Sequence, residues 1–489
     1  MPTQDIARDL RSIYQKDREL LTKTKLPIMT VSASFKEDLK GLHKQKETDK
    51  NTDIVLSRAH YSMAMGIAIQ AWGKKIDPRQ AWLVDSTNYV SLQAEKGVAL
   101  THLIGKTIAR WPILKTLKDL VDKFGRSKMP ILDNVTPPTL YLGGAVTQPI
   151  LSMHIVVGNI LAAEGKTVLQ MITDPHVRPD YLDNAHLANM RFLVFDEATK
   201  AAFFAVAKKI GKKIPADQIK DKVIVTGPPI DPRITAINQE KPIWKNDREL
   251  RILLTTGGLG TNKPEIKAVL EQLLPELAKQ EQEQTSQLPT AQLVFYAGTH
   301  ADHRDMALEI ASKHQIKTEI ISPKDPAAFR IGEQIKYPKI EEKKAKFTII
   351  YHPQIVDANE LLIHEGLTWA DLVISKPSGD MAYDAVAAGA ALLTLQEWGE
   401  WEHNVRAFFE QNAISQKAQI DAIVNQISEI TREVAATAKI SQLKSTPVPA
   451  LQVKTNYGTN WLSQAMQKAK KLDKIFYQGA KNIIAACQK

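Results

Sequence analysis

Two stretches of this 489-residue chain hold residue types whose order suits phosphate and sugar chemistry. The first is TTGGLGTNKPEI, Thr255–Ile266, where an apolar run, Ile252–Leu254, leads into Gly257, Gly258 and Gly260 ahead of a helical pattern. Glycines let a backbone approach phosphate closely, and a helix start offers free N–H groups and a positive dipole end. The plain alternative is a tight strand-to-helix turn of any Rossmann-like domain. The second stretch is SKPSGDMAYDAVAAGAALLTLQEWGEWEHN, Ser375–Asn404. Its turn, with Pro377 and Gly379, presents backbone N–H groups, and Lys376 and Ser378 are available for phosphate. Asp384 falls one turn into the following helix, where a carboxylate can accept bonds from ribose hydroxyls. Beyond the next strand, an acidic loop carries Glu400, Glu402 and Asn404, polar groups suited to sugar hydroxyls. A capped helix with solvated charges explains any one of these residues but not their order.

A third feature is RWPILKTLKDLVDKFGRSK, Arg110–Lys128. Ile113, Leu114, Leu117, Leu120, Val121 and Phe124 recur at helical spacing, with Trp111 at the start and Lys115, Lys118 and Lys123 on the polar side. Such a helix suits an anionic lipid surface, or equally an ordinary packed helix with a solvated basic face.

These residues need elements to place them. Short Val/Ile/Leu-rich runs without clean alternation, among them Ile28–Ser32, Thr167–Ile172, Leu372–Ser375 and Ala391–Leu395, predict strands buried on both faces of a parallel sheet. Helical patterns between them, such as Lys263–Lys279 and Ala382–Gly389, predict β-α-β units. The series breaks at Asp231–Glu249, polar and without periodicity, which predicts an interdomain linker. This gives a first domain over residues 1–230, a linker over 231–250, a second domain over 251–454 and a basic helical tail over 455–489. Uncharged Leu140–Ala163 is long enough to span a bilayer, but its Gly143, Gly144, Gln148, Pro149, His154 and Asn159 favour a buried strand-turn-helix.

The run Ser375–Asn404 resembles the donor-binding signature of GT-B glycosyltransferases related to MurG, and more closely to the monogalactosyl- and processive diacylglycerol glycosyltransferases. Their pattern is roughly K-P-G-G-x-T-x-x-E-A-x-A-x-G, a strand, then G-Q-E-x-x-N. Lys376, Pro377, Gly379, Ala385, Ala387, Gly389, Gly399, Glu402 and Asn404 are kept. TDPHVRPDYLDNA (Thr173–Ala185), VTGPPIDPR (Val225–Arg233) and TTGGLG resemble further landmarks in the family's order, and the similarity covers roughly Pro27–Gln411. Ser378, Met381, Asp384 and Glu400 depart from the pattern. At the N-terminal end SASF (Ser32–Phe35) matches the strand end, residues 36–56 intervene, and SRAH (Ser57–His60) stands where the family has G-G-G-H.

The resemblance implies an α/β, GT-B fold: two Rossmann-like domains facing an interdomain cleft, with the C-terminal helix crossing back onto the first. It implies hexosyl transfer from a nucleotide sugar, a UDP sugar above others, to a lipid acceptor at an anionic membrane surface. Donor contacts would come from Gly257, Gly258, Gly260, Lys376, Ser378, Gly379, Asp384, Glu400 and Asn404, and membrane contacts from Trp111, Lys115, Lys118 and Lys123. His60 is the first candidate for the base that takes the acceptor proton, and Asp174 the second. The family needs no bound metal or other cofactor. Two other functions fit the same motifs: a non-catalytic nucleotide-sugar-binding homologue and a nucleotide-sugar 2-epimerase.

Composition narrows the classes. The net charge of +10, from 64 Lys+Arg against 54 Asp+Glu, favours anionic partners. No long Lys/Arg block interleaved with aromatics argues for nucleic acid. The single cysteine, Cys487, leaves no intrachain disulfide or Cys-based zinc site, and the charged N-terminus has no apolar signal segment. The expected location is cytoplasmic, peripheral on the inner face of the membrane.

Overall fold

The computed structural model describes residues 8–34, 54–89, 130–322, 334–433 and 460–488. The amphipathic segment expected over Arg110–Lys128, with Trp111, Lys115, Lys118 and Lys123, and most of the 36–56 insertion lie outside the described residues.

Among the described residues, two parallel sheets organise the chain. The first has six strands: β1 (Leu26–Thr30), β4 (Ala81–Asp85), β5 (Ile150–Ser152), β6 (Val168–Met171), β7 (Met190–Val194) and β8 (Val223–Val225), in the order β4-β1-β5-β6-β7-β8. The second has seven: β9 (Leu250–Thr255), β10 (Ala291–Gly298), β11 (Thr318–Ile321), β12 (Phe347–Tyr351), β13 (Leu372–Ser375), β14 (Ala391–Thr394) and β15 (Ser415–Lys417), in the order β11-β12-β10-β9-β13-β14-β15. A two-strand ladder pairs β2 (Ala33–Ser34) antiparallel with β3 (Ile54–Val55). Each parallel sheet reverses its winding once, between β1 and β5 in the first and between β9 and β13 in the second. Loops leaving the strand ends at such a reversal diverge and leave a crevice, which is where doubly wound sheets bind ligands. The two crevices face each other, and this is the GT-B arrangement.

Strand side chains alternate between two cores. Ile28, Leu83, Leu151, Leu169, Met171 and Leu193 belong to a central cluster, whereas their neighbours Met29, Trp82, Val84, Ile150, Val168 and Phe192 belong to an outer one. Burial on both faces is why the runs lack a polar side. The central cluster also takes Leu253, Val294, Val373 and Leu392 from the second sheet, so one apolar body joins the domains. A third cluster, including Ile252, Leu254, Ile266, Leu270 and Leu274, covers the outer face of the second sheet.

Three segments differ from the sequence expectation. The Asp231–Glu249 linker holds a helix, Pro232–Glu240, capped by Asp231 accepting from the Arg233 N–H at 2.8 Å and opened by Pro232. Glu400–Asn404 is not a loop but the start of a helix, Glu400–Gln411; its early glutamates meet the positive end of the helix dipole. Among the described residues, the tail is three helices, Trp461–Ala469, Lys474–Tyr477 and Gly479–Cys487. Leu462 and Met466 join the second domain's outer core, while Ala480 and Ile483 join the central cluster. Leu140–Ala163 contributes the end of a helix, strand β5 and the Ile155–Ala163 helix, and no helix among the described residues is long and apolar enough to cross a membrane.

Candidate interdomain active site

The cleft is built at the two sheet reversals. On the first domain, Asp85 at the end of β4 accepts from the N–H groups of Ser32 and Ala33, both at 2.9 Å, and from the Ser32 hydroxyl at 2.5 Å. That fixes the strand end leading toward the insertion. The chain returns at β3 and caps the Arg58–Trp72 helix with Ser57, whose hydroxyl accepts from the His60 N–H at 3.3 Å. His60 Nε2 lies 3.1 Å from Thr173 Oγ1, and its ring packs edge-on at 5.0 Å from that of His154. Asp174 follows β6 in the adjoining loop.

On the second domain, Thr255 Oγ1 and Ser375 Oγ bridge β9 and β13 at 2.7 Å. The glycine turn after β9 closes with the Gly260 N–H donating to Gly257 O at 2.8 Å, and Gly260 takes a φ of 65° that suits glycine. His300 Nε2 lies 3.1 Å from Gly258 O and 3.3 Å from Gly257 O; carbonyls only accept, so this nitrogen carries the proton. After β13, Ser378 braces the turn into the Met381–Ala387 helix, whose N-cap is Asp380: its hydroxyl accepts from the Met381 N–H at 3.2 Å and donates to Asp380 at 2.6 Å.

Of the residues expected from sequence, His60, Asp174, Gly257, Gly258, Lys376, Ser378 and Gly379 line one cavity of about 140 Å³ between the domains. Gly260 lies outside that lining, in the turn. Asp384 is buried behind it, Glu400 is exposed, and Asn404 donates to the Pro175 carbonyl of the other domain at 2.9 Å. Close approach explains the glycine at 379. A Cβ there would lie 2.8 Å from the Thr173 carbonyl oxygen and 2.4 Å from Asp174 Oδ1.

The cations of the lining are already engaged. Lys376 Nζ lies 2.5 Å from Glu402 Oε1, and Glu402 Oε2 accepts from the Trp398 N–H at 2.6 Å. Arg58 of the first domain reaches Asp380 at 2.9 Å and Asn359 Oδ1 at 2.6 Å, with Asp384 at 3.8 Å. Burial pushes Asp384 up to about 8, against the Arg58 charge that lowers it, while Arg58 holds Asp380 below its usual range despite burial. Burial raises Asp174 to about 6 and lowers His60 to about 4.

Arg58, Asp380 and Trp401 were not singled out from sequence, although all three line the cavity. Arg58 stands beside His60 in SRAH, a cation where the family pattern has glycine, but its partners lie some 300 residues away (Asn359 is 301 positions on). Counted strictly from Gly399 to Asn404, the pattern's acid falls on Trp401, and Glu402 comes one residue later.

No family model matches this chain, and no curated protein does. Solved structures with a similar course include MurG from Acinetobacter baumannii, at 13% identity over 82% of this chain and 89% of that one, with a TM-score of 0.37. Arabidopsis thaliana UGT89C1 complexed with UDP-L-rhamnose matches at 9% identity over 95% and 100%, with a TM-score of 0.45. UDP-GlcNAc 2-epimerase from Neisseria meningitidis bound to UDP-GlcNAc matches at 11% over 83% and 91%, with a TM-score of 0.42. These scores are too low to carry an assignment, and the two-domain architecture rests on the strand order.

Proposed function

We propose that this chain is a glycosyltransferase that moves a hexosyl group from a nucleotide sugar, a UDP sugar above others, to a lipid acceptor at the cytoplasmic surface of a membrane. The observation that supports it is the meeting of the two sheet reversals: His60 and Asp174 on one wall, the glycine turn and Lys376–Gly379 on the other. In this reading the acceptor hydroxyl gives its proton to His60 or Asp174 as its oxygen bonds the anomeric carbon. The nucleotide diphosphate leaves, and its charge is met by the backbone N–H groups of the turn and by Lys376. No metal takes part, so chelator treatment leaves turnover unchanged. The Arg110–Lys128 helix supplies the membrane contact, and reversing Lys115, Lys118 and Lys123 to Glu abolishes binding to anionic vesicles.

Ligand-observed NMR against a panel of nucleotide sugars, followed by turnover with lipid acceptors, tests the reading. Binding of none of the panel overturns it. A non-catalytic binding protein is favoured by one feature: Arg58 and Lys376 are both bound to carboxylates. Donor binding without hydrolysis or transfer would select that reading, and a product of unchanged mass would select the epimerase.

A further inference from the structure

Arg58 is the least expected residue in the cleft. It opens the Arg58–Trp72 helix of the first domain, yet its described ion-pair partners, Asp380 and Asp384, belong to the second. Asn359 accepts from Nη1, the Met381 sulfur lies 3.9 Å from Nη2, and Tyr296 adds a further polar neighbour. The residue is 4% exposed. A buried ion pair of this kind is poor glue, since well-packed apolar side chains hold an interface as firmly or better. Its chemistry suits exchange instead: a guanidinium binds carboxylate and phosphate oxygens through the same planar donors.

The surroundings make the comparison sharper. Arg233 of the linker helix also reaches the second domain, bound to Asp231 and bidentate to Glu360 at 2.6 and 2.9 Å, but it does not line the cavity. Arg58 does, beside Gly257, Gly258, Lys376 and Ser378. Gly258 is pressed against it, so that a Cβ there would stand 3.0 Å from Arg58 Cβ. The cavity of about 140 Å³ is smaller than the roughly 300 Å³ at which small-molecule pockets begin. Protein carboxylates thus sit on the cleft's cations, and the free space beside them is small.

We propose that Arg58 is an anion-binding residue of the cleft, and that Asp380 is a resident competitor whose place a ligand's phosphate takes when the domains part. The proposal rests on the reading that an anionic donor enters this cleft. A resident competitor lowers apparent affinity by the fraction of molecules in which the cation is free. Removing the competitor therefore strengthens binding, whereas removing the cation weakens it.

The experiment titrates inorganic pyrophosphate, and separately UDP, into wild-type chain, Arg58→Gln and Asp380→Asn, each checked for folding by thermal melts. Pyrophosphate affinity is expected to fall tenfold or more in Arg58→Gln and to rise severalfold in Asp380→Asn. Equal affinity in a folded Arg58→Gln, or weaker binding in a folded Asp380→Asn, overturns the proposal. If Arg58→Gln does not fold, Asp380→Asn decides alone, because a merely structural pair predicts no gain in it. No uptake of pyrophosphate by wild type and by Asp380→Asn overturns it as well. Pyrophosphate responding as expected while no nucleotide sugar binds sinks the glycosyltransferase reading and leaves this one standing; nucleotide sugars binding equally to all variants does the reverse.

Discussion

His60 and Asp174 stand on one wall of the cleft, and their proton affinities separate them. A general base works in its deprotonated form and best when its pKa lies near the working pH. His60, lowered to about 4 by burial, is neutral over nearly the whole usable range and weakly basic. Asp174, raised to about 6, is the stronger base and the better matched. Burial therefore reverses the order that the motif alone suggests. The sign follows directly: activity that depends on deprotonated Asp174 is present above about 6 and lost as pH falls through it. A pH profile of kcat/KM is expected to show that limb, and Asp174→Asn to remove it with a loss of roughly a hundredfold. A rate level through pH 6 and falling only toward 4 assigns the base to His60 instead. Lys376 calls for a different test. Its alanine variant leaves the buried Glu402 carboxylate without its cation, which costs about 3–5 kcal/mol. Lys376→Met with Glu402→Gln together is expected to recover most of that loss in urea melts. Lys376, Gly379 and Asp174 were legible in the sequence because local motifs carry them. The pairings with Glu402 and Arg58 were not, since each is made only by tertiary packing.

At the scale of elements, the strands were legible because parallel-sheet burial leaves them apolar on both faces. Helices were harder where short. The Pro232–Glu240 helix lacks an obvious apolar stripe, yet Asp231-Pro232 is a start signal in its own right, a cap followed by proline at the first helical position. Gly399 hid the Glu400–Gln411 helix in a similar way, because a loop-like glycine occupies the N-cap. The β2–β3 ladder has a practical meaning. Ala33 faces Val55 and Ser34 faces Ile54, so the ends of the 35–53 excursion are adjacent antiparallel strands. Two residues suffice to join such strands. Replacing residues 35–53 by Asn-Gly is expected to keep the fold, with a thermal midpoint near that of wild type. A collapse of the midpoint would mean that the excursion is part of the core. Turnover in the shortened chain then reports what the excursion contributes to activity.

At the scale of the whole molecule, one apolar body spans both domains, and the tail is its last component. The Gly479–Cys487 helix lies along the Arg58–Trp72 helix that carries Arg58 and His60, and its first residue crosses the Gly227–Pro228 backbone. A Cβ on Gly479 would stand 1.9 Å from the Pro228 carbonyl oxygen. Gly479→Ala is therefore expected to undock the tail, with a lowered urea midpoint. Cys487 ends that helix, 5% exposed, with its thiol pushed up to about 12 by burial. It is also the chain's single cysteine. A buried, protonated thiol is inert to disulfide reagents until the segment around it opens. The wild-type protein is thus supplied with a native clock for undocking of the tail from the first domain: the rate at which a chromogenic disulfide reacts counts those opening events, with no label introduced and no second thiol to subtract.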